Sequence, residues 1–200
     1  MKNSLFVLLI LLFFAVACRQ SNSNSKNFFD SFGLNDETDQ AIELVNKANE
    51  NLREIRQIQK TNAAKLDVLK QAITDHDSTR VRQILDELIE AIDDGLKLGE
   101  TASARIDEAA EKKTNEKFNE YLRLKEQVLQ KQIEAFKFRL QVAKTLREKF
   151  GTENAAEIET AKAEFARQEE SFQKLWDAAD DLNDRANRLA RENPSKIKTK

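Results

Sequence analysis

Apolar residues recur at steps of three and four positions along most of the chain, from Asp36 to about Asn193. This spacing collects them on one face of an α-helix, which a folded domain buries against other helices. The pattern is interrupted at three places. We therefore expect four helices, each about 33–42 residues and roughly 50–60 Å long.

Two of the three interruptions carry ordinary turn signals. Asp75-His76-Asp77-Ser78 is a cluster of turn and N-cap residues. Gly151-Thr152 supplies a glycine suited to a helix C-terminus, followed by an N-cap candidate, and Asn154 with Glu157 forms a second capping option. Both interruptions therefore predict a turn between helices.

The third interruption, at Thr114-Asn115, contains neither Gly nor Pro, so a single helix from Ser78 to Lys149 is the alternative. Extending the second apolar face through this segment would place charged residues in the core, at Lys113, Glu116, Glu120 and Arg123. The apolar residues instead fall out of phase with that face, at Phe118, Tyr121 and Leu122. We therefore predict a turn here as well.

Connections this short make consecutive helices antiparallel. The predicted fold is all-α, an antiparallel up-down four-helix bundle of long helices with coiled-coil-like packing, over residues 36–193. Residues 194–200 form a basic C-terminal tail. With only 4 Gly and 1 Pro, the chain lacks the breakers that a β-sandwich or barrel needs between its strands.

Polar or very small residues interrupt the apolar faces near the middle of the bundle, at Gln59, Asn62, Gly95, Gly99, Gln132 and Gln168. Lys125 and Arg139 also interrupt the third face. Gln132 and Gln168 each lie about eighteen residues from the turn near Phe150, which places them at the same height. We interpret the set either as a buried amide layer that fixes the register or as a small polar cavity that admits a ligand.

The N-terminus carries a different pattern. Lys2 precedes thirteen uncharged residues, Leu5 to Ala17, which are too few to span a bilayer and match the apolar region of a secretory signal peptide. The run ends in Ala15-Val16-Ala17-Cys18, and Cys18 is the only cysteine in the chain. This segment resembles the lipobox of bacterial lipoproteins, although the family more often has Leu where Ala15 stands.

The resemblance implies that residues 1–17 are a signal peptide, cleaved between Ala17 and Cys18. It also implies that Cys18 receives a diacylglyceryl group and a further acyl chain such as palmitate, which anchors the protein to a membrane of the cell envelope. Arg19 stands where many lipoproteins of the inner membrane have Asp, so the resemblance points to the outer membrane. A plain secretory signal, or a cysteine buried in a short apolar helix, is the alternative.

Residues 18–35 connect the cysteine to the first helix. Residues 19–27 have no apolar side chain and are rich in Ser and Asn, a composition typical of a flexible tether. Four large apolar residues follow within seven positions, at Phe28, Phe29, Phe32 and Leu34. We interpret them either as a plug for the near end of the bundle or as a contact patch for the bilayer or a partner.

Composition argues against several function classes. The chain has 33 basic and 35 acidic residues, so it lacks the basic excess of a nucleic-acid-binding protein. Its one histidine, His76, lies in a predicted turn, and no Glu-x-x-His sequence occurs, so we expect no haem, no di-iron centre, no other metal and no cofactor. We assign no catalytic residues, because acidic pairs such as Glu169-Glu170 are expected on solvated helix faces.

These observations favour a membrane-anchored, non-enzymatic lipoprotein of the cell envelope. Its helical bundle is expected to bind another macromolecule, most simply a protein partner. One alternative is a small-ligand sensor or carrier that uses the polar layer. A second alternative is an envelope chaperone or scaffold that uses the segment from Phe28 to Leu34.

Overall fold

The computed structural model describes residues 36–150 and 155–191, which form four helices and no strand. Helix α1 is Asp36–Thr74, α2 is Ser78–Ala110, α3 is Glu116–Lys149 and α4 is Ala155–Arg191. Together they form an all-α four-helix bundle, as the periodicity of apolar residues predicts. The described residues do not include the predicted signal peptide, the predicted tether, the segment from Phe28 to Leu34, Gly151 to Asn154 or the predicted basic tail.

The turns after α1 and α2 are fixed by helix caps. The Asp77 side chain accepts a hydrogen bond from the Arg80 backbone N–H at 2.9 Å, and Asn115 caps α3 in the same way through the Phe118 N–H. His76 takes a positive φ of 58°, which lets the chain reverse between α1 and α2. Both predicted turns are confirmed, including the one at Thr114-Asn115.

Contacts between consecutive helices show that they are antiparallel. The Asn51 side chain donates to the Leu98 carbonyl at 3.2 Å, while Lys65, further along α1, pairs with Glu87 at 2.8 Å. Close backbone packing joins α1 to α2, α2 to α3 and α3 to α4. Helices α1 and α4 lack comparable backbone packing within the described residues. Contacts between α1 and α4 are therefore made by their side chains.

The middle of the bundle is filled by aromatic side chains. Phe136 of α3 and Phe172 of α4 both contact the ring of Trp176, with ring centroids 5.6 and 5.7 Å apart. Ile55 of α1 belongs to the same buried cluster. Large side chains from α3 and α4 thus reach α1 where the backbones of α1 and α4 do not approach closely.

The buried face of α2 follows the predicted spacing at every position, through Gly95 and Gly99 to Ala109. On α4 the most buried residues are Phe172, Trp176, Ala179, Asn183, Ala186 and Ala190. Leu175, Leu182 and Leu189 follow Phe172, Ala179 and Ala186 by three residues, so the spacing of apolar residues predicts them in the core, but they are only half-buried. The buried face of α4 is therefore rotated slightly from the predicted one, toward Trp176 and Asn183.

The two glycines of α2 allow large side chains of α3 to approach the backbone. A Cβ atom added at Gly95 would collide with the ring of Phe136, and one added at Gly99 would lie 2.8 Å from Cγ1 of Ile133. The space beside both glycines is therefore occupied by apolar side chains of α3.

We predict that Gly95→Ala destabilises the bundle, because the Phe136 ring is held against Trp176 and cannot move aside freely. The overpacking should cost about 1–3 kcal/mol, partly offset by the higher helix propensity of Ala. Chemical denaturation gives the difference in unfolding free energy. Gly99→Ala is the matched control and should cost less, because its added Cβ would crowd one atom of Ile133, at 2.8 Å, rather than the edge of an aromatic ring. A Gly95→Ala protein as stable as the wild type would contradict this packing.

Candidate functional site

Three buried polar residues follow one another along α3 at intervals of seven positions. Lys125, Gln132 and Arg139 are 4%, 1% and 4% exposed, respectively. Seven residues are two helical turns, so the three side chains lie on one face of α3. We call these three residues the polar seam.

The partners of the polar seam on α4 have the same spacing. Lys125 contacts Asn183, and Arg139 contacts Glu169. Trp176 lies midway between these two partners on α4, so it is level with Gln132. The polar seam therefore fixes which residues of α3 and α4 face each other.

Arg139 joins three helices. Its Nη1 donates a hydrogen bond to Oε1 of Gln59 on α1 at 2.8 Å, and its Nη2 forms an ion pair with Glu169 on α4. The guanidinium also lies over the ring of Phe172, 3.3 Å from the ring centroid. Burial lowers the pKa of Arg139, and the Glu169 carboxylate opposes that shift, so the guanidinium remains charged.

Lys125 is buried against uncharged groups. Its Nζ donates to Oδ1 of Asn183 at 2.9 Å and lies 5.5 Å from the ring centroid of Tyr121. Burial lowers the pKa of Lys125 to about 7, and the positive charges of Arg56 and Arg53 on α1 lower it further in the same direction. Near neutral pH this amine is therefore partly uncharged.

The structure divides the predicted polar layer into two levels. Gln59, Asn62 and Gln168 lie near Arg139, since Gln168 precedes Glu169 and Asn62 is one helical turn from Gln59. Gln132 is level with Trp176, eight residues from Gln168 and about 12 Å away along the bundle axis. Gln132 and Gln168 therefore do not share one layer.

Several buried polar atoms at these two levels have no hydrogen-bond partner. They are both amide atoms of Asn62, both amide atoms of Gln132, Oε1 of Gln168 and Nε of Arg139. Asn62 is completely buried. The Gln168 amide nitrogen, by contrast, contacts the Glu164 carboxylate. The middle of the bundle thus has unused hydrogen-bonding capacity from α1, α3 and α4.

The glycines do not enlarge this polar region, because Phe136 and Ile133 fill the space beside them. Two shallow grooves, of about 430 and 290 Å³, run along the outer face of α3 instead, with Lys137 and Gln141 in both. Neither groove is lined by a residue of the predicted polar layer.

Residues 36–150 and 155–191 contain no group of three or more His, Cys, Asp or Glu side chains that could hold a metal ion. His76 is exposed in the turn after α1. Within the same ranges, no helix is long and apolar enough to cross a membrane. Buried charged side chains with partners on other helices are found at Arg139 and Lys125.

The sequence pattern indicates Gln59, Asn62, Gln132 and Gln168 but gives no role to Lys125, Arg139 or Asn183. The expectation that Glu169 lies on a solvated face is wrong, because its carboxylate pairs with the buried Arg139. The polar seam could have been predicted, because Lys125, Gln132 and Arg139 are spaced by seven positions. The charged partner on α4 carried no such signal, since Glu169 is one of 35 acidic residues.

Comparisons with models of protein families, with curated proteins and with solved structures find no match to this chain. No relative therefore supplies a function or a set of site residues. The functional proposal depends on the residues and geometry of the chain itself.

We predict that Lys125→Met stabilises the bundle at pH 7 and weakens its pH dependence. The pKa of Lys125 is about 7 in the folded chain, whereas an unfolded lysine has a pKa near ~10.4. Between these values the unfolded chain binds more protons, so the stability of the wild type rises with pH over that window and does not change with pH below it. At pH 7 burial of the amine therefore destabilises the wild type by on the order of a few kcal/mol, and the substitution removes this cost.

Urea denaturation at several pH values from 6 to about 10 measures this effect. Lys137→Met, at an exposed position of the same helix, is the control and should leave the pH dependence unchanged. Equal pH dependence in the wild type and in Lys125→Met would show that the Lys125 amine is solvated.

Proposed function

We propose that this chain is a lipid-anchored, non-enzymatic protein of the bacterial cell envelope whose helical bundle binds another macromolecule. The observation that carries the anchor is Ala15-Val16-Ala17-Cys18 at the end of a thirteen-residue apolar run, which resembles a lipobox. Under this proposal the mature chain begins at Cys18 and is held at the outer membrane by its acyl chains.

The length and the charged exterior of the bundle support a role in presenting a binding surface. Its helices contain 33 to 39 residues, so it is a rod of roughly 50–60 Å. Many of its outward positions are charged, and several of these charges are paired along one helix, as in Glu43 with Lys47 and Glu170 with Lys174. A rod on a Ser/Asn-rich tether can extend such a surface away from the membrane.

The contacts that the buried polar side chains make with neighbouring helices support a non-enzymatic role. Burial lowers the pKa values of Arg139 and Lys125, and shifted pKa values are common among catalytic residues. Here each is only 4% exposed and bonds to residues of neighbouring helices. A substrate in solvent would have to displace these contacts to reach either group, so we assign both to the assembly of the bundle.

A second candidate function is a small-ligand sensor or carrier. One observation favours it, the unpartnered amide atoms of Asn62 and Gln132. The separation of these residues into two levels argues against a carrier function, because a single ligand would have to reach both levels. A chaperone or scaffold role for the segment from Phe28 to Leu34 concerns residues outside the described ranges and stays a prediction.

We predict that Cys18→Ser removes the protein from the membrane or leaves an unprocessed precursor, because the acyl chains are attached through this thiol. Detergent phase partitioning of wild-type and variant protein from the producing cells measures the effect. Ser23→Ala in the tether is the control and should partition like the wild type. Equal partitioning of correctly processed wild-type and Cys18→Ser proteins would refute the anchor.

Binding of a macromolecule can be tested separately, by placing a photo-crosslinking amino acid at exposed positions of the four helices. Suitable positions are Val68, Glu100, Lys137 and Asp181. Irradiation of living cells should give one adduct of defined mass from the helices of the binding face, and none from buried Leu69. If no helix gives an adduct while a metabolite raises the melting temperature of the bundle, the carrier function is the correct one.

A further inference from the structure

We propose that the bundle interior binds ordered water molecules at two sites, one beside Asn62 near Arg139 and one beside Gln132. Neither site is needed for the anchor or for binding a macromolecule, so the inference stands independently of the proposed function. It starts from six polar atoms in four side chains that are buried without a hydrogen-bond partner.

Such atoms are rare in folded proteins, because each one loses its hydrogen bonds to water on burial. Leaving a buried donor or acceptor unsatisfied costs about 1–3 kcal/mol, and most such groups are bonded to protein or to ordered water. Asn62 has two unpartnered atoms and is completely buried, and Gln132 has two and is 1% exposed. Both amides therefore require partners that the neighbouring side chains do not supply.

The chemistry of the first site points to a neutral ligand that both donates and accepts hydrogen bonds. Its unpartnered donors are Nδ2 of Asn62 and Nε of Arg139, and its unpartnered acceptors are Oδ1 of Asn62 and Oε1 of Gln168. An anion is not required, because Glu169 already neutralises the Arg139 charge. Water meets this demand, since one molecule can donate two hydrogen bonds and accept two.

The burial of the two amides also favours a small ligand. The free volume that glycines could have offered is filled by Phe136 and Ile133. Asn62 and Gln132 have almost no exposed surface, so a larger solute would need the bundle to unfold locally. Globular proteins hold about one buried water per 27 residues, so two sites in a bundle of this length are unexceptional.

The seam between α1 and α4 gives water a route to the first site. These two helices lack the close backbone packing of the other neighbours. Gln59 of α1 and Gln168 of α4 are half-buried, whereas Asn62, one turn from Gln59, is fully buried. Partly exposed polar side chains thus lie within about one turn of the interior amide.

The direct test uses nuclear magnetic resonance on the wild-type chain in detergent micelles. The side-chain amide protons of Asn62 and Gln132 should show cross-relaxation with water of long residence time. Exposed Gln57 on α1 should show only the signature of fast-exchanging solvent. Absence of long-lived water at both Asn62 and Gln132 would overturn the proposal without any substitution.

Variants test the two sites separately. Magnetic relaxation dispersion of the water oxygen nucleus reports the number of long-lived internal waters. Asn62→Leu and Gln132→Leu should each lose at least one, and Gln57→Leu should lose none. If the dispersion of both folded interior variants equals that of the wild type, the interior amides bond directly to protein and the proposal is wrong. Where an interior variant fails to fold, the wild-type measurement decides.

Discussion

The guanidinium of Arg139 is a charge inside a narrow helical bundle, and the packing of the bundle depends on keeping it compensated. The side chain comes from α3, its counter-charge Glu169 comes from α4, and its second hydrogen-bond partner Gln59 comes from α1. Because α1 and α4 lack close backbone packing with each other, this side chain connects them together with the apolar side chains of the shared core. Removing the counter-charge of such a buried pair costs about 3–5 kcal/mol, which is comparable to the whole stability of a marginal domain.

The same contact gives the bundle a defined register. Apolar positions that repeat every seven residues can be superposed on themselves after a slide of one heptad, so they do not select one alignment of α3 and α4. A slide of seven residues would move Arg139 from Glu169 to Trp176 or Lys162 and would separate Lys125 from Asn183. The polar seam therefore excludes alignments that the apolar core would accept. The aromatic cluster of Phe136, Phe172 and Trp176 then packs in only one way.

The sequence predicts the helices and turns well, for local reasons. Asp77 and Asn115 are N-caps whose effect extends over a few residues, so the turns that they end can be predicted from the sequence. The alignment of α3 with α4 is not local. Counting from the turn near Phe150 places Gln132 opposite Gln168, whereas the structure places Gln132 near the level of Trp176, about one heptad away. The contacts of Arg139 with Glu169 and of Lys125 with Asn183 select the observed alignment, and both join residues that are far apart in the sequence.

A double-mutant cycle on Arg139 and Glu169 tests most directly whether this pair determines the assembly of the bundle. The cycle compares Arg139→Met, Glu169→Leu and the double variant by chemical denaturation. We expect Glu169→Leu alone to destabilise the bundle by about 3–5 kcal/mol, because a buried cation is left uncompensated, and the double variant to recover most of that loss. Additive effects, with a coupling energy near zero, would show that the two side chains act independently and that the pair does not determine the assembly of the bundle.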